Sequence, residues 1–300
     1  MEKFLVIDVG GTGIKYAIMD EKGNFLSEGQ TPTPKESLDV FLETLDTVVL
    51  PVKDEVAGIA MSMPGKIDNK TGYMYTGGAL SYIHNIALGE ILNERYHLPV
   101  TIENDAKCAA NAEMWLGNLA DVNSGMVIIL GTGIGGGIVI DRKVWRGFKG
   151  SAGEISNLPT QYKDLYGKGN SWASINGYQG LTRPYEAKKG LEKGSVNGKV
   201  FFDAYHNGDE DAKVVFDEFI ATLTAGIVSL QTVLDVEKYC IGGGISAQNV
   251  LIEATQKAID EYFERSPYTP LNKPQIDRCK FLNGANLVGA LNNFFTNANR

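Results

Sequence analysis

The tetrapeptide Gly-Thr-Gly-Ile occurs twice in this chain, at Gly11–Ile14 and at Gly131–Ile134. Each copy follows an apolar run and precedes another. Leu5-Val6-Ile7-Asp8-Val9 leads into the first and Tyr16-Ala17-Ile18-Met19 leaves it; Val127-Ile128-Ile129-Leu130 leads into the second and Ile138-Val139-Ile140 leaves it. Each unit therefore predicts a strand, a glycine-rich turn and a strand. Glycine reaches positive φ and lets backbone N–H groups converge on an oxygen-rich ligand. The duplication predicts two loops that grip one polyanion. Only the first copy carries a carboxylate before the loop (Asp8) and an ammonium after it (Lys15), as a metal–phosphate end would require.

The pattern around the repeats predicts two similar α/β lobes. After the first hairpin come a third strand at Gly23–Glu28, helical spacing over Lys35–Leu50 and a strand over Glu55–Met63. A turn at Pro64–Asp68, a helix at Ala87–Tyr96, a strand at Val100–Ile102 and a helix at Asn104–Leu116 follow. The order then restarts after Gly117 with the second hairpin (Met126–Asp141) and the glycine-rich loop Gly147–Asn157. Ser171–Gly190 reads as loop and helix, Ala212–Leu234 as a long helix, and Lys238–Ile241 as a strand entering Gly242-Gly243-Gly244. Helices near Asn249–Phe263 and Ala285–Phe295 enclose a strand at Cys279–Leu282. Strand triplets followed by alternating helices and strands mark an α/β class. The expected lobes are residues 1–117 with the helix 285–300, and residues 118–284. Three hundred residues suit two such cores.

Composition narrows the partners. The chain is 43% hydrophobic, so it can bury a substantial core, and its formal charge of −8 disfavours a nucleic-acid backbone. A transcriptional repressor would need a DNA-reading segment ahead of a hairpin that begins near residue 3. The N-terminal apolar run meets Asp8 too early for a signal peptide, and Met126–Ile140 is interrupted by glycines and too short to span a bilayer. The expected setting is cytoplasmic, with no membrane partner. Cys108, Cys240 and Cys279 are too scattered to form a zinc ligand set, so no structural zinc is expected. His84, His97 and His206 read as surface or core side chains.

Three motifs carry chemistry. Gly131-Thr132-Gly133-Ile134-Gly135-Gly136 matches G-x-G-x-x-G in form, but it enters a strand, whereas a dinucleotide fold needs a helix there. A Walker loop fails as well, because Tyr16 follows Lys15 where Ser or Thr is required. Glu103-Asn104-Asp105-Ala106 stands where a strand stops and a helix starts. Asn and Asp are good N-caps, which alone would explain one of them. The same position suits a ligand cleft, with Asn104 bonding one sugar hydroxyl and Asp105, its ionised form favoured by the helix N-terminus, accepting a proton from another.

Together, Asp-x-Gly-Gly-Thr-x-x-Lys at Asp8–Lys15, Pro-Gly-x-x-Asp at Pro64–Asp68, Glu103–Ala106, Gly131–Gly137 and Gly242–Gly244 resemble the ROK family of sugar kinases and repressors. The resemblance runs through nearly the whole chain in order. It implies the actin/hexokinase-like (ribonuclease H-like) fold, with two lobes and a central cleft. It also implies ATP and Mg²⁺ as cofactors, a small-molecule sugar as substrate and a homodimer. By resemblance Gly10, Gly11, Thr12, Lys15, Thr132 and Gly133 hold phosphates, Gly243 and Gly244 flank the adenosine, and Asp8 lies at the metal. Asp105 is then the catalytic base for a sugar 6-hydroxyl, with Gly65, Asn104 and Glu154 on the other hydroxyls.

Two departures bear on the substrate. Asn157 stands where the family carries a zinc-ligating His, and no cysteine lies between Cys108 and Cys240. Asn157 keeps donor and acceptor capacity but cannot titrate or ligate the metal. Trp172 falls near the family's second sugar-binding glutamate, and an indole there would offer a flat platform to a second ring. That predicts a β-glucoside kinase of the zinc-less type, against a glucokinase or other hexokinase strictly on monosaccharides. A sugar-binding regulator of the same fold without catalysis is the remaining alternative, and Trp172 as a core aromatic is the structural one.

Overall fold

The computed structural model describes residues 2–164, 167–281 and 284–297. Its contacts divide the chain into two compact units: Met1–Gly117 with Lys143–Ala152 and Asn283–Arg300, and Asn118–Arg142 with Gly153–Leu282. The segment Lys143–Ala152, expected with the second lobe, thus groups with the first unit.

In the first unit β1 (Lys3–Val9) is antiparallel to β2 (Gly13–Asp20), which pairs with β3 (Phe25–Pro32). On its other side β1 runs parallel to β4 (Ile59–Met63), and β4 to β8 (Val100–Asn104), giving the order β3-β2-β1-β4-β8. Leu5, Ile7, Ile59, Met61 and Ile102 are buried with the apolar stripe of α1 (Leu38–Val49), namely Phe41, Leu42, Leu45, Val48 and Val49. Ser37 caps α1 by accepting the Val40 N–H. α3 (Asp105–Leu116) packs on α9 (Ala285–Asn297), which also lies against β1, β4 and β8. The helices meet closely enough that a Cβ on Gly289 would stand 1.7 Å from the Cys108 carbonyl oxygen. A small sheet, β5 (Ile67–Asp68), β6 (Tyr73–Thr76) and β7 (His84–Ile86), leads into α2 (Leu88–Tyr96).

The second unit repeats the central pattern. β9 (Gly125–Leu130) is antiparallel to β10 (Ile134–Ile140) and parallel to β12 (Lys238–Gly242), which is parallel to β13 (Gln275–Arg278). Around these strands lie α4 (Trp172–Asn176), α5 (Gln179–Lys189), α6 (Gly198–His206), α7 (Glu210–Leu234) and α8 (Asn249–Arg265). α7 is long and apolar enough to cross a membrane, but half of its apolar window is buried and it packs on α5 and α8. It is the unit's core helix.

The strand expected at Cys279–Leu282 lies earlier, at β13; Cys279–Phe281 is irregular, and Leu282 lies outside the described residues. Pairing with β12 decides the position: Lys238–Ile241 matches Gln275–Arg278 residue by residue. Sequence reading also passed over β5–β7, α6 and β11 (Lys143–Trp145).

Candidate active site

In the first unit the carboxyl ends of the parallel strands gather the polar residues, where open α/β sheets place their ligands. Asp8, near the end of β1, is level with Ser62 on β4 and with Lys15 on β2. Its Oδ1 accepts the Asn286 Nδ2–H at 3.0 Å. Burial pushes the Asp8 carboxyl above the usual carboxylate range, although hydrogen bonds from Asn286 and Ser62 and the Lys15 charge pull it down. The buried Cys108 thiol on α3 is raised first by burial, then by the charges of Glu103 and Asp8 and, more weakly, Asp105, while a hydrogen bond with Ser62 opposes them. Three carboxylates therefore surround one small region of this unit.

The turn from β8 into α3 is pinned from several sides. Asn104 is the N-cap, its Oδ1 accepting the Lys107 N–H at 3.2 Å. Its Nδ2 donates to the Gly65 carbonyl at 3.0 Å. Gly65 has φ +102°, and a Cβ there would meet the Thr76 carbonyl oxygen at 2.1 Å, so only glycine fits the turn. Asp105 is the first helical residue, half-buried, with Oδ1 accepting the Ala106 N–H at 2.8 Å. Gly65, Asn104 and Asp105 are thus brought together, with Asn104 bonded to Gly65 directly. Glu103, 1% exposed, was not singled out by sequence reading; it accepts the Asn104 N–H and pairs with Arg146.

The first glycine loop is closed by the Gly10 N–H on the Gly13 carbonyl at 2.9 Å. Thr33 braces it, donating its hydroxyl to the Gly10 carbonyl and its N–H to the Thr12 carbonyl, and Lys35 donates to the Gly11 carbonyl. The side chains of Thr12 and Lys15 are exposed.

In the second unit the Gly131 N–H bonds the Gly133 carbonyl at 3.0 Å, and Thr132 stands exposed at the tip. Gly131 and Thr132 line a cavity of about 450 Å³ with Gly244, Lys199, Phe202 and Gln248. Gly243, which precedes the lining Gly244, has φ +94°; a Cβ there would lie 2.2 Å from the carbonyl oxygen of Leu130, itself a lining residue. This volume falls within the range of small-molecule sites. Lys199 and Phe202 belong to α6, which had no sequence signal strong enough to predict it.

Glu154 and Asn157 are exposed side chains on one 3₁₀ turn of the second unit, joined by the Asn157 N–H on the Glu154 carbonyl at 3.3 Å. Trp172 corrects the sequence reading. It is 2% exposed, and its indole lies on Gly226 of α7, where a Cβ would come within 2.2 Å. It is a core aromatic with no face to offer a sugar ring.

The ROK family model matches residues 4–295. A β-glucoside kinase of Klebsiella pneumoniae is 30% identical over 295 residues, 97% of this chain and 96% of its own. A ROK family protein from Streptococcus pneumoniae, solved with sucrose, superposes with a TM-score of 0.89 at 29% identity, covering 99% of each chain. A ROK glucokinase from Streptomyces griseus, solved with glucose and AMPPNP, gives 0.79 at 26% identity over 96% of this chain and 98% of that one. The fold is the actin/hexokinase-like fold, and the protein is an ATP-dependent sugar kinase. The chain belongs to the ROK family.

Proposed function

We propose that the enzyme transfers the γ-phosphoryl group of ATP to the 6-hydroxyl of a glucose-type hexose, or of the glucosyl unit of a β-glucoside. The observation that carries this reading is the turn at Asn104–Asp105. It presents a half-buried carboxylate on a backbone fixed by the Asn104 cap and the Gly65 carbonyl. Phosphoryl transfer runs through a loose transition state, so the acceptor hydroxyl needs orientation more than a strong base. Asp105 takes the proton, while Asn104, the Gly65 backbone, Glu154 and Asn157 bond the remaining hydroxyls. The second unit supplies the nucleotide's cavity through Gly131, Thr132 and Gly244, with Gly133 and Gly243 as their neighbours in the two glycine loops. In the first unit Gly10, Gly11, Thr12 and Lys15 face phosphate oxygens.

The residues fit Mg²⁺ at Asp8. Asp8 is an oxygen ligand at the carboxyl end of β1 whose charged form burial disfavours, and Mg²⁺ asks for only one or two carboxylates beside phosphate oxygens and water. When bound, the ion supplies charge neutralisation to the phosphates. The same reading takes the enzyme to be a cytoplasmic homodimer, which light scattering tests for the dimer.

β-Glucoside kinases among the relatives support the first reading, beside N-acetyl-D-glucosamine kinases and a glucokinase of similar identity. A strict monosaccharide kinase is the second reading, and the burial of Trp172 favours it by removing the platform for a second ring. An ADP-release panel with glucose, mannose, N-acetyl sugars, cellobiose and gentiobiose separates them. Higher kcat/KM on the disaccharides supports the first reading and free-sugar specificity the second. No turnover on any glucosyl acceptor overturns both.

A further inference from the structure

The ion pair between Glu103 and Arg146 has no part in the chemistry above, yet it touches the Asn104–Asp105 turn. Glu103 accepts the Asn104 backbone N–H through Oε1 at 2.9 Å and the Arg146 Nε–H through Oε2 at 2.6 Å. The guanidinium is itself held from two further sides, donating Nη1–H to the Val144 carbonyl at 3.1 Å and Nη2–H to Asn293 Oδ1 on α9 at 3.0 Å. A carboxylate this deeply buried is costly unless it is paired and hydrogen-bonded, and an apolar residue would fill the space more cheaply. What an apolar residue cannot do is bind the one N–H that stands between Glu103 and the reacting carboxylate. Asn104 pairs with Met63 at the last rung of the β4–β8 ladder, so beyond it Glu103 replaces the sheet as the anchor. Arginine suits the task, since its planar fork fixes several acceptors at once, where lysine would act as a point charge.

We infer that Arg146 is a positioning residue: acting through Glu103 and the Asn104 N–H, it sets where the Asp105 carboxylate stands. The inference rests on Asp105 being the acceptor's base. Arg146 also lines a cavity of about 290 Å³ in the first unit with Asp68, Lys70, Tyr75 and Phe148. Truncating the side chain would open that space toward Glu103, with room for a guanidinium ion.

The experiment compares Arg146→Ala, Arg146→Lys, the double variant Glu103→Gln/Arg146→Met and Asp105→Asn, by steady-state kinetics and thermal unfolding. A small displacement of the base predicts a kcat lower by roughly 10- to 100-fold in Arg146→Ala, at unchanged KM for ATP. Added guanidinium restores kcat saturably where equimolar urea does not, and Arg146→Lys falls between. Should Arg146→Ala not fold, the double variant decides, because it leaves no unpaired buried charge. Recovered stability with kcat still depressed supports positioning. Wild-type kcat in either variant, with Asp105→Asn inactive, overturns it. An active Asp105→Asn overturns the base assignment itself, so the two failures are told apart.

Discussion

The two glycine hairpins are built alike and armed differently. In the first, paired Val9 and Ile14 enclose Gly10–Gly13; in the second, paired Leu130 and Ile134 enclose Gly131–Gly133, a tip one residue shorter. One rung back, the first hairpin sets Asp8 opposite Lys15, whereas the second sets Ile129 opposite Gly135. The glycines of β10 also serve packing: a Cβ on Gly136 would meet the Gly153 carbonyl oxygen at 2.7 Å and the Ile155 side chain. That run makes room for the loop bearing Glu154. A repeated backbone device has thus been divided, with charge kept in the first unit and shape in the second.

Asp105→Ala is the sharpest test of that division. Losing the base should cost roughly 10²- to 10⁴-fold in kcat while nucleotide affinity, read by fluorescence titration, stays unchanged. Loss of nucleotide binding together with turnover would break the division, since the cavity assigned to ATP lies wholly in the other unit. The opposite perturbation is Gly243→Ala. Its Cβ would collide with the Leu130 carbonyl at a backbone angle L-residues avoid, so the KM for ATP should rise about tenfold, worth ~1.4 kcal/mol. Gly244→Ala is the control, because its added methyl would enter open space, with no packing neighbour within 4 Å. A KM change there reads the nucleotide's own approach.

Asp8→Asn separates function from stability within the charged hairpin. The wild-type carboxyl is held above its usual range by burial, so its charged form is a net cost to the free protein at neutral pH. Between the unfolded and the raised folded pKa, the native state holds the extra proton; wild-type stability therefore falls as pH rises through that window. Asparagine can still accept from Asn286, so the variant should melt a few degrees higher at pH 7 and show a flatter pH dependence. Its Mg²⁺-dependent turnover should fall at the same time. A variant that melts lower would mean that Asp8 is a structural acid.

Local rules made the turn at Asn104–Asp105 readable. A cap residue, an acidic first turn and an alanine-rich helix stand next to one another in sequence, and α3 starts where they place it. The central sheets were readable for a similar reason: strands packed on both faces become unbroken apolar runs. What stayed hidden depends on distant partners. β5 has only two residues and β7 three, too few to show a period. α6 is stabilised by an aromatic cluster in which Phe201 and Phe202 meet Tyr185 and Phe216 from other helices. The Glu103–Arg146 pair joins residues 43 apart, and three polar neighbours in a row gave no sign of which one faced inward.

Trp172 is the smallest expected effect and the cleanest check on that lesson. Whether an aromatic meets ligand or core was decided by Gly226, a glycine on α7 that leaves a place for the indole. Its Nε1–H is buried without an acceptor among the described residues. Phenylalanine would remove that orphaned donor, offsetting part of the lost packing, so Trp172→Phe should destabilise by no more than about 1.5 kcal/mol. The ratio of kcat/KM for cellobiose to that for glucose should not move. A shift in that ratio, at unchanged stability, would mean that the indole reaches the substrate, and the second unit would then supply an apolar platform beside the polar groups of Glu154 and Asn157.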